Sequence, residues 1–179
     1  PRIGAAIPVY VAPQAGMDEI AGYHLHRGVL ALARRTRQET AEQLLPAHAD
    51  GPLTALVLVG LSNHDNVGAC FRNAAALGTD FVLLDAACCD PLYRKAIRVS
   101  SGAAVSLPFA HGGSGEELLA LLERRGVARW AMTPANGEPL SRIAPPARLA
   151  PGLGAEGPGL PDGLMRRCRQ GPTVPGVVA

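Results

Sequence analysis

The run LTALVLV, residues 53–59, constrains this chain more than any other feature. It is too short for a core helix and too continuously apolar for a surface strand, so it reads as a strand buried inside a sheet. The polar loop GLSNHDN follows, then an amphipathic helix from Val67 to Leu77 that stops at Gly78, then a second apolar strand, Phe81 to Leu84. Two buried strands separated by one helix require a crossover connection, and a crossover makes the strands parallel. The alternation continues. Tyr93 to Val99 reads as a short basic helix and VSLPF (105–109) as a strand. Ser114 with Glu117 three residues on forms a capping box that opens a helix through LLALLERR, and ARWAM (128–132) is another strand. The fold class is therefore α/β with a mostly parallel sheet.

Parallel sheets collect ligands at the loops leaving the carboxyl ends of their strands. Four such loops are readable: Gly60 to Asn66, Ala86 to Asp90, Thr133 to Glu138, and Gly154 to Gly159. Ahead of the α/β pattern, Ile7 to Val11 reads as a short strand and Met17 to Leu32 as an amphipathic helix interrupted by Gly22 and Gly28. Its polar side and continuation carry His24, His26, Arg27, Arg34, Arg35 and Arg37, either a solvated face or a patch for RNA phosphates. The turn-rich PAHADGP, residues 46–52, is the best linker.

Composition narrows the function classes. The 179 residues suit one domain, or one domain and part of another; 47% apolar and 18% charged residues suit a packed core. Aromatic residues make up only 4%, which argues against a wide base-stacking platform. A net charge of +2 gives no case for nucleic acid from bulk charge, so any RNA contact must be local. Of the 17 basic residues only Lys95 is a lysine, and arginine is the better bidentate phosphate ligand, although codon bias explains the excess equally simply. Cys70, Cys88, Cys89 and Cys168 contain no C-x-x-C pair, so no metal is expected and a reduced, cytoplasmic setting is the simplest reading. No apolar run approaches the roughly 20 residues of a membrane span.

The chemistry concentrates in two segments. In the first, N63-H-D-N66-V-G68-A-C-F-R72, Asn66 stands where a helix N-cap belongs, Gly68 permits close backbone approach and Arg72 rides on a helix of small residues. An ordinary cap with a surface arginine would look the same. Asp85 ends the second strand where a ribose-binding acid of a dinucleotide site would stand, but the G-x-G-x-x-G fingerprint is missing. The second segment, G154-A-E156-G157-P-G159-L160, is a glycine-rich turn that taken alone would be a surface loop. His64 beside the first segment reads as a solvated side chain.

Together and in order, these segments resemble the SpoU/TrmH class of RNA ribose 2′-O-methyltransferases, within the knotted SPOUT superfamily. N-x-x-N-x-G-x-x-x-R-x-A-x-x-x-G, from Asn63, looks like its first motif; R98-V-S100-S-G-A followed by Leu107-Pro108 and G-x-E-x-x-G-L, from Gly154, look like later ones. AGYHLHRGVLALARR (21–35) resembles the end of a small substrate-binding domain that precedes the methyltransferase domain in some members. The resemblance implies that residues 1–47 are the C-terminal part of that RNA-binding domain and that 48–179 are the methyltransferase domain. It implies S-adenosylmethionine as methyl donor, a ribose 2′-hydroxyl of rRNA or tRNA as acceptor, and a homodimer. Asn66 and Arg72 would be catalytic, with Arg72 anchoring phosphate and orienting the hydroxyl rather than acting as base. Thr133, Gly154, Glu156, Gly157, Gly159 and Leu160 would hold the donor; Arg27, Arg72, Arg98 and Ser100 would meet RNA.

Two departures stand out. The family's third motif, an I-P strand followed by S-L-N-V-S-x-A, has no match after Cys168-Arg169, so the resemblance implies a knot left incomplete and a chain truncated or altered there. A non-catalytic RNA-binding or dimerising relative is the alternative function. Pro151 also interrupts RLAPGLG where a buried strand is expected, and it predicts a missing ladder hydrogen bond.

Overall fold

A computed structural model describes residues 7–26, 28–35, 39–45, 51–132 and 142–170. The chain divides into two compact units, residues 1–36 and 37–179.

In the first unit, α1 spans Gln14–Ala21. The expected longer helix stops there because Gly22 turns left-handed at φ 73°, its N–H closing on the Asp18 carbonyl at 2.8 Å. The Asp18 carboxylate then ties down the turn beyond: it accepts from the Leu25 N–H at 2.8 Å, contacts His24 Nδ1 at 2.7 Å and accepts from Gln14 Nε2 at 2.6 Å. The Leu25 N–H and then His24 hold its carboxyl below the usual carboxylate range. Of the expected basic face, the described His24, His26, Arg34 and Arg35 lie outside any helix. Nor do residues 7–11 form a strand; among the described residues they have no strand to pair with.

The second unit is a six-stranded, all-parallel sheet in the order β3-β2-β1-β5-β4-β6. The strands are β1 (Leu53–Leu58), β2 (Phe81–Leu84), β3 (Phe109–His111), β4 (Ala128–Ala131), β5 (Arg148–Leu153) and β6 (Arg169–Gln170). The helices are α2 (Ala41–Leu44), α3 (His64–Ala76), α4 (Arg94–Val99), α5 (Ala103–Ser106), α6 (Gly115–Arg124) and α7 (Asp162–Met165). Period-two alternation sorts the side chains into two cores. Ala55, Val57, Phe81 and Leu83 join α6 and α7 on one face, whereas Leu58, Val82 and Leu84 join Val67 and Phe71 of α3 on the other. Val105 and Ser106 of the expected VSLPF strand instead end α5, and the strand starts only at Phe109. The Ser114–Glu117 capping box is present, with hydrogen bonds of 3.2 and 2.7 Å.

The two compact units divide between residues 36 and 37. Leu45, following α2, is fully buried in the α6-side core, so residues 39–45 pack with the sheet. Residues 46–50 of the expected linker lie outside the described residues.

Pro151 does not end β5, which stays hydrogen-bonded between β1 and β4. The Gly152 carbonyl bonds toward β4 (Met132 N–H, 3.1 Å) and the Leu153 carbonyl toward β1 (Val59 N–H, 3.0 Å). Because these directions alternate in a parallel strand, Pro151 faces β1. The missing N–H falls there, and the β1–β5 register skips from Thr54↔Leu149 to Val57↔Gly152 while the β4 register runs unbroken.

Helix α3 lies close against α4 because of Gly68. A Cβ at that position would stand 2.7 Å from the Ala96 carbonyl oxygen and 2.9 Å from Val99 Cβ. Gly68→Ala should therefore destabilise the unit by about 1–3 kcal/mol, read as a lower urea midpoint at unchanged slope. An unmoved midpoint would mean that the two helices are not packed this tightly.

Candidate active site

The sheet order reverses direction between β1 and β5: β2 and β3 lie on one side of β1, and β5, β4 and β6 on the other. Loops leaving two such strands diverge from the sheet and open a crevice between them. Here they are residues 59–63 after β1 and 154–161 after β5. They meet at a cavity of about 380 Å³ lined by Leu61, Ser62, Asn63, Asn66, Ala155 and Glu156.

One side-chain hydrogen bond spans that cavity's wall. Asn66 Nδ2 donates to Glu156 Oε2 at 2.9 Å, joining residues 90 positions apart. Asn66 can do this because it is not the N-cap expected of it. Asn63 caps α3, its side chain accepting from the Asp65 N–H at 2.9 Å, and Asn66 sits in the first turn with its amide released outward.

The floor beneath the first loop is built by Asp85 and Cys88. Asp85 Oδ1 accepts from the Gly60 N–H at 3.0 Å and the Cys88 N–H at 3.1 Å, so this buried acid is committed to loop structure rather than to a ribose. Cys88 Sγ accepts from the Leu61 N–H and donates to the Leu58 carbonyl, each at 3.4 Å. Burial, above all, pushes its thiol up to about 12 from an ordinary 9.0.

The glycine loop is shaped by its own closure. A Cβ on Gly154 would fall 2.0 Å from the Gly159 carbonyl carbon, and the Gly159 N–H bonds the Ala155 carbonyl at 2.8 Å. Gly157 and Gly159 have φ of 90° and 70°. Gly154 is thus needed for backbone to cross backbone. Leu160 is buried in the α6-side core and anchors the loop, leaving only its backbone for a ligand.

Arg72 is exposed on α3, one turn beyond Gly68. It makes no hydrogen bond or ion pair among the described residues. Arg98 on α4 is exposed as well. Ser100 corrects its expectation: it is 1% exposed, and its hydroxyl donates to the Ile97 carbonyl and accepts from the Ala104 N–H, joining α4 to α5. Its hydroxyl keeps that corner folded. Arg27 and Thr133 lie outside the described residues. Asn63 and Ser62 were not singled out as site residues from the sequence, and their position before a helix start was the available signal. A larger groove of about 600 Å³ between α2 and α6 gathers none of the expected site residues.

The donor set around the smaller cavity suits a polar small molecule. A hydroxyl, two carboxamides and a carboxylate, from Ser62, Asn63, Asn66 and Glu156, offer both donors and acceptors to hydroxyl and ammonium groups, and the volume is within the ~300–1,000 Å³ range of small-molecule sites. Among the described residues no group of His, Cys, Asp or Glu could hold a metal ion, and no helix is long and apolar enough to cross a membrane.

Against known proteins, residues 54–177 match the model of the SpoU rRNA methylase family. The chain belongs to that family. Uncharacterized tRNA/rRNA methyltransferases of Mycobacterium bovis and Mycobacterium tuberculosis are 39% identical to it over 168 residues, an alignment covering 91% of this chain and 57% of theirs. The chain thus spans little more than half the length of these curated relatives. An AdoMet-bound rRNA methyltransferase from Sinorhizobium meliloti superposes with a TM-score of 0.69 at 23% identity, covering 80% of this chain and 54% of that one. The SpoU methyltransferase AviRb from Streptomyces viridochromogenes, in complex with AdoMet, gives 0.67 at 18% identity, with coverage of 74% and 55%. These structures share the α/β fold of this chain.

The raised Cys88 thiol has a measurable consequence. The native thiol keeps its proton above the pH at which an unfolded cysteine ionises, so its contribution to stability is complete below about pH 9 and is lost as pH rises toward about 12. Urea titrations across that window should show a shallower decline for Cys88→Val than for the parent chain, by about one proton. Parallel declines would contradict the buried-thiol assignment.

Proposed function

We propose that this chain carries the methyl-transfer core of an RNA ribose 2′-O-methyltransferase that uses S-adenosylmethionine as donor and rRNA or tRNA as acceptor. The observation that carries the reading is the Asn66–Glu156 hydrogen bond: it joins the first motif to the glycine loop beside one polar cavity, in a chain of the SpoU family. Membership alone leaves the two motifs as separate strings. Their contact supports reading them as one site.

When bound, the donor supplies an electrophilic methyl group on a sulfonium. The protein's part is to hold, orient and expose. Ser62, Asn63 and the loop through Gly154, Glu156, Gly157 and Gly159 present polar side chains and backbone groups to the donor, with Thr133 assigned to the same pocket from its place in the sequence. Glu156 fixes the Asn66 amide, and Asn66 in turn stiffens the start of the helix that carries Arg72. A guanidinium keeps its proton, so Arg72 binds an RNA phosphate and aligns the 2′-hydroxyl in line with the methyl carbon; Arg98 adds a second phosphate contact. Residues 1–47, with Arg27, are the C-terminal part of a small RNA substrate-binding domain. The working form is a cytoplasmic homodimer.

Calorimetry of the full chain with S-adenosylmethionine, together with a methyl-transfer assay on bulk rRNA and tRNA, tests this reading. Donor binding in the cavity is expected. Arg72→Ala should lower turnover at least ~100-fold while leaving donor affinity within about twofold. A parent chain that binds no donor sinks the proposal. RNA retention without donor binding, falling steeply with salt, would instead mark a non-catalytic RNA-binding member.

A further inference from the structure

Beside the cavity lies an aromatic pair to which the methyl-transfer reading assigns no task. The rings of His64 and Tyr93 stand with centroids 4.4 Å apart at an interplanar angle of 44°. His64 is the first residue of α3 and lies between Asn63 and Asn66, both of which line the cavity. Tyr93 precedes α4, held by its own N–H bonded to the Asp90 carbonyl at 3.1 Å and by its carbonyl accepting from the Ile97 N–H at 3.0 Å. A 2.7 Å ion pair between Lys95 Nζ and Asp65 ties the same two helix starts together. The backbone under the ring is therefore fixed from both sides, yet the ring is 51% exposed. A large aromatic surface left half in water, rigidly mounted and backed by the ring of His64, matches the needs of a flat π-ligand rather than those of the core.

We infer that Tyr93 is the stacking surface for one nucleobase of single-stranded RNA flanking the ribose presented to the donor, with His64 as the positioning residue that sets the ring's tilt. The inference rests on the methyl-transfer reading above and adds the base subsite. A single ring also suits a chain with only 4% aromatic residues, too few for a broad platform. Stacking tolerates any base, so Tyr93 contributes affinity and register, and the exposed Arg98 on the same helix contributes the salt-dependent phosphate contact.

Fluorescence anisotropy of the full chain with a labelled single-stranded RNA of about ten nucleotides separates these contributions. Tyr93→Leu should weaken binding roughly fivefold to a hundredfold with no change in the slope of log Kd against log salt. Arg98→Ala should reduce that slope by about one. Tyr93→Phe should bind within about twofold of the parent, and His64→Ala should fall between Phe and Leu. Urea midpoints close to that of the parent would show that the variants are folded. Unchanged affinity in Tyr93→Leu, with Arg98→Ala weakened, overturns the stacking role and leaves the RNA reading standing. Equal losses in Tyr93→Phe and Tyr93→Leu also overturn it, because they assign the effect to the hydroxyl. A parent chain that binds no RNA removes both readings, while donor binding by calorimetry is judged separately.

Discussion

The insertion of β5 directly beside β1 governs the rest of the molecule. Chain order carries β2 and β3 to one side of β1; the chain then returns so that its fifth strand fills the other side. Only this reversal brings the loop after Leu58 and the loop after Leu153 to the same edge. A sheet wound in one direction would separate them by several strand spacings of ~4.8 Å each. The cavity, the Asn66–Glu156 hydrogen bond and the approach of α3 to that edge all follow from the reversal.

The sheet tolerates a defect at this junction. Pro151 withholds a ladder hydrogen bond from β1, yet the strand persists because its other edge is continuously paired with β4 and its buried residues, Leu149 and Ala150, stay in the core. The loops above are braced from below instead. Asp85 and Cys88 take up the N–H groups of Gly60 and Leu61 that no strand partner satisfies, and Gly154 lets the β5 loop close on itself. Buried groups one layer down thus carry the loop backbone's hydrogen bonds beneath the cavity.

Much of this was readable from residue order. The buried run at 53–59, the helix stop at Gly78 and the Ser114–Glu117 box each depend on neighbours within a few positions, and each appears where its pattern predicts. Misreadings arose where local pattern lacked a tertiary partner or met one that overruled it. Residues 7–11 alternate like a strand but have no strand beside them among the described residues, and apolar spacing after Gly22 suggests a helix that a left-handed glycine ends. Asn66 looks like a cap, but the helix starts one turn earlier because Asn63 satisfies its free N–H first. Ser100 sits in a basic motif that suggests RNA, whereas its hydroxyl is consumed between α4 and α5.

By itself the sequence determined the identities and separations of the chemical groups: an asparagine-arginine helix, a glycine-glutamate loop, and strands apolar enough to be buried on both faces. Local spacing encodes such things because helix and strand periods are short. The tertiary structure alone decided which groups meet. Glu156 reaches Asn66 across 90 residues, Cys88 supports Leu61, and His64 lies against Tyr93, all through strand order and helix docking. Strand order is set by the summed packing of two core faces, a global quantity that no short stretch of residues contains.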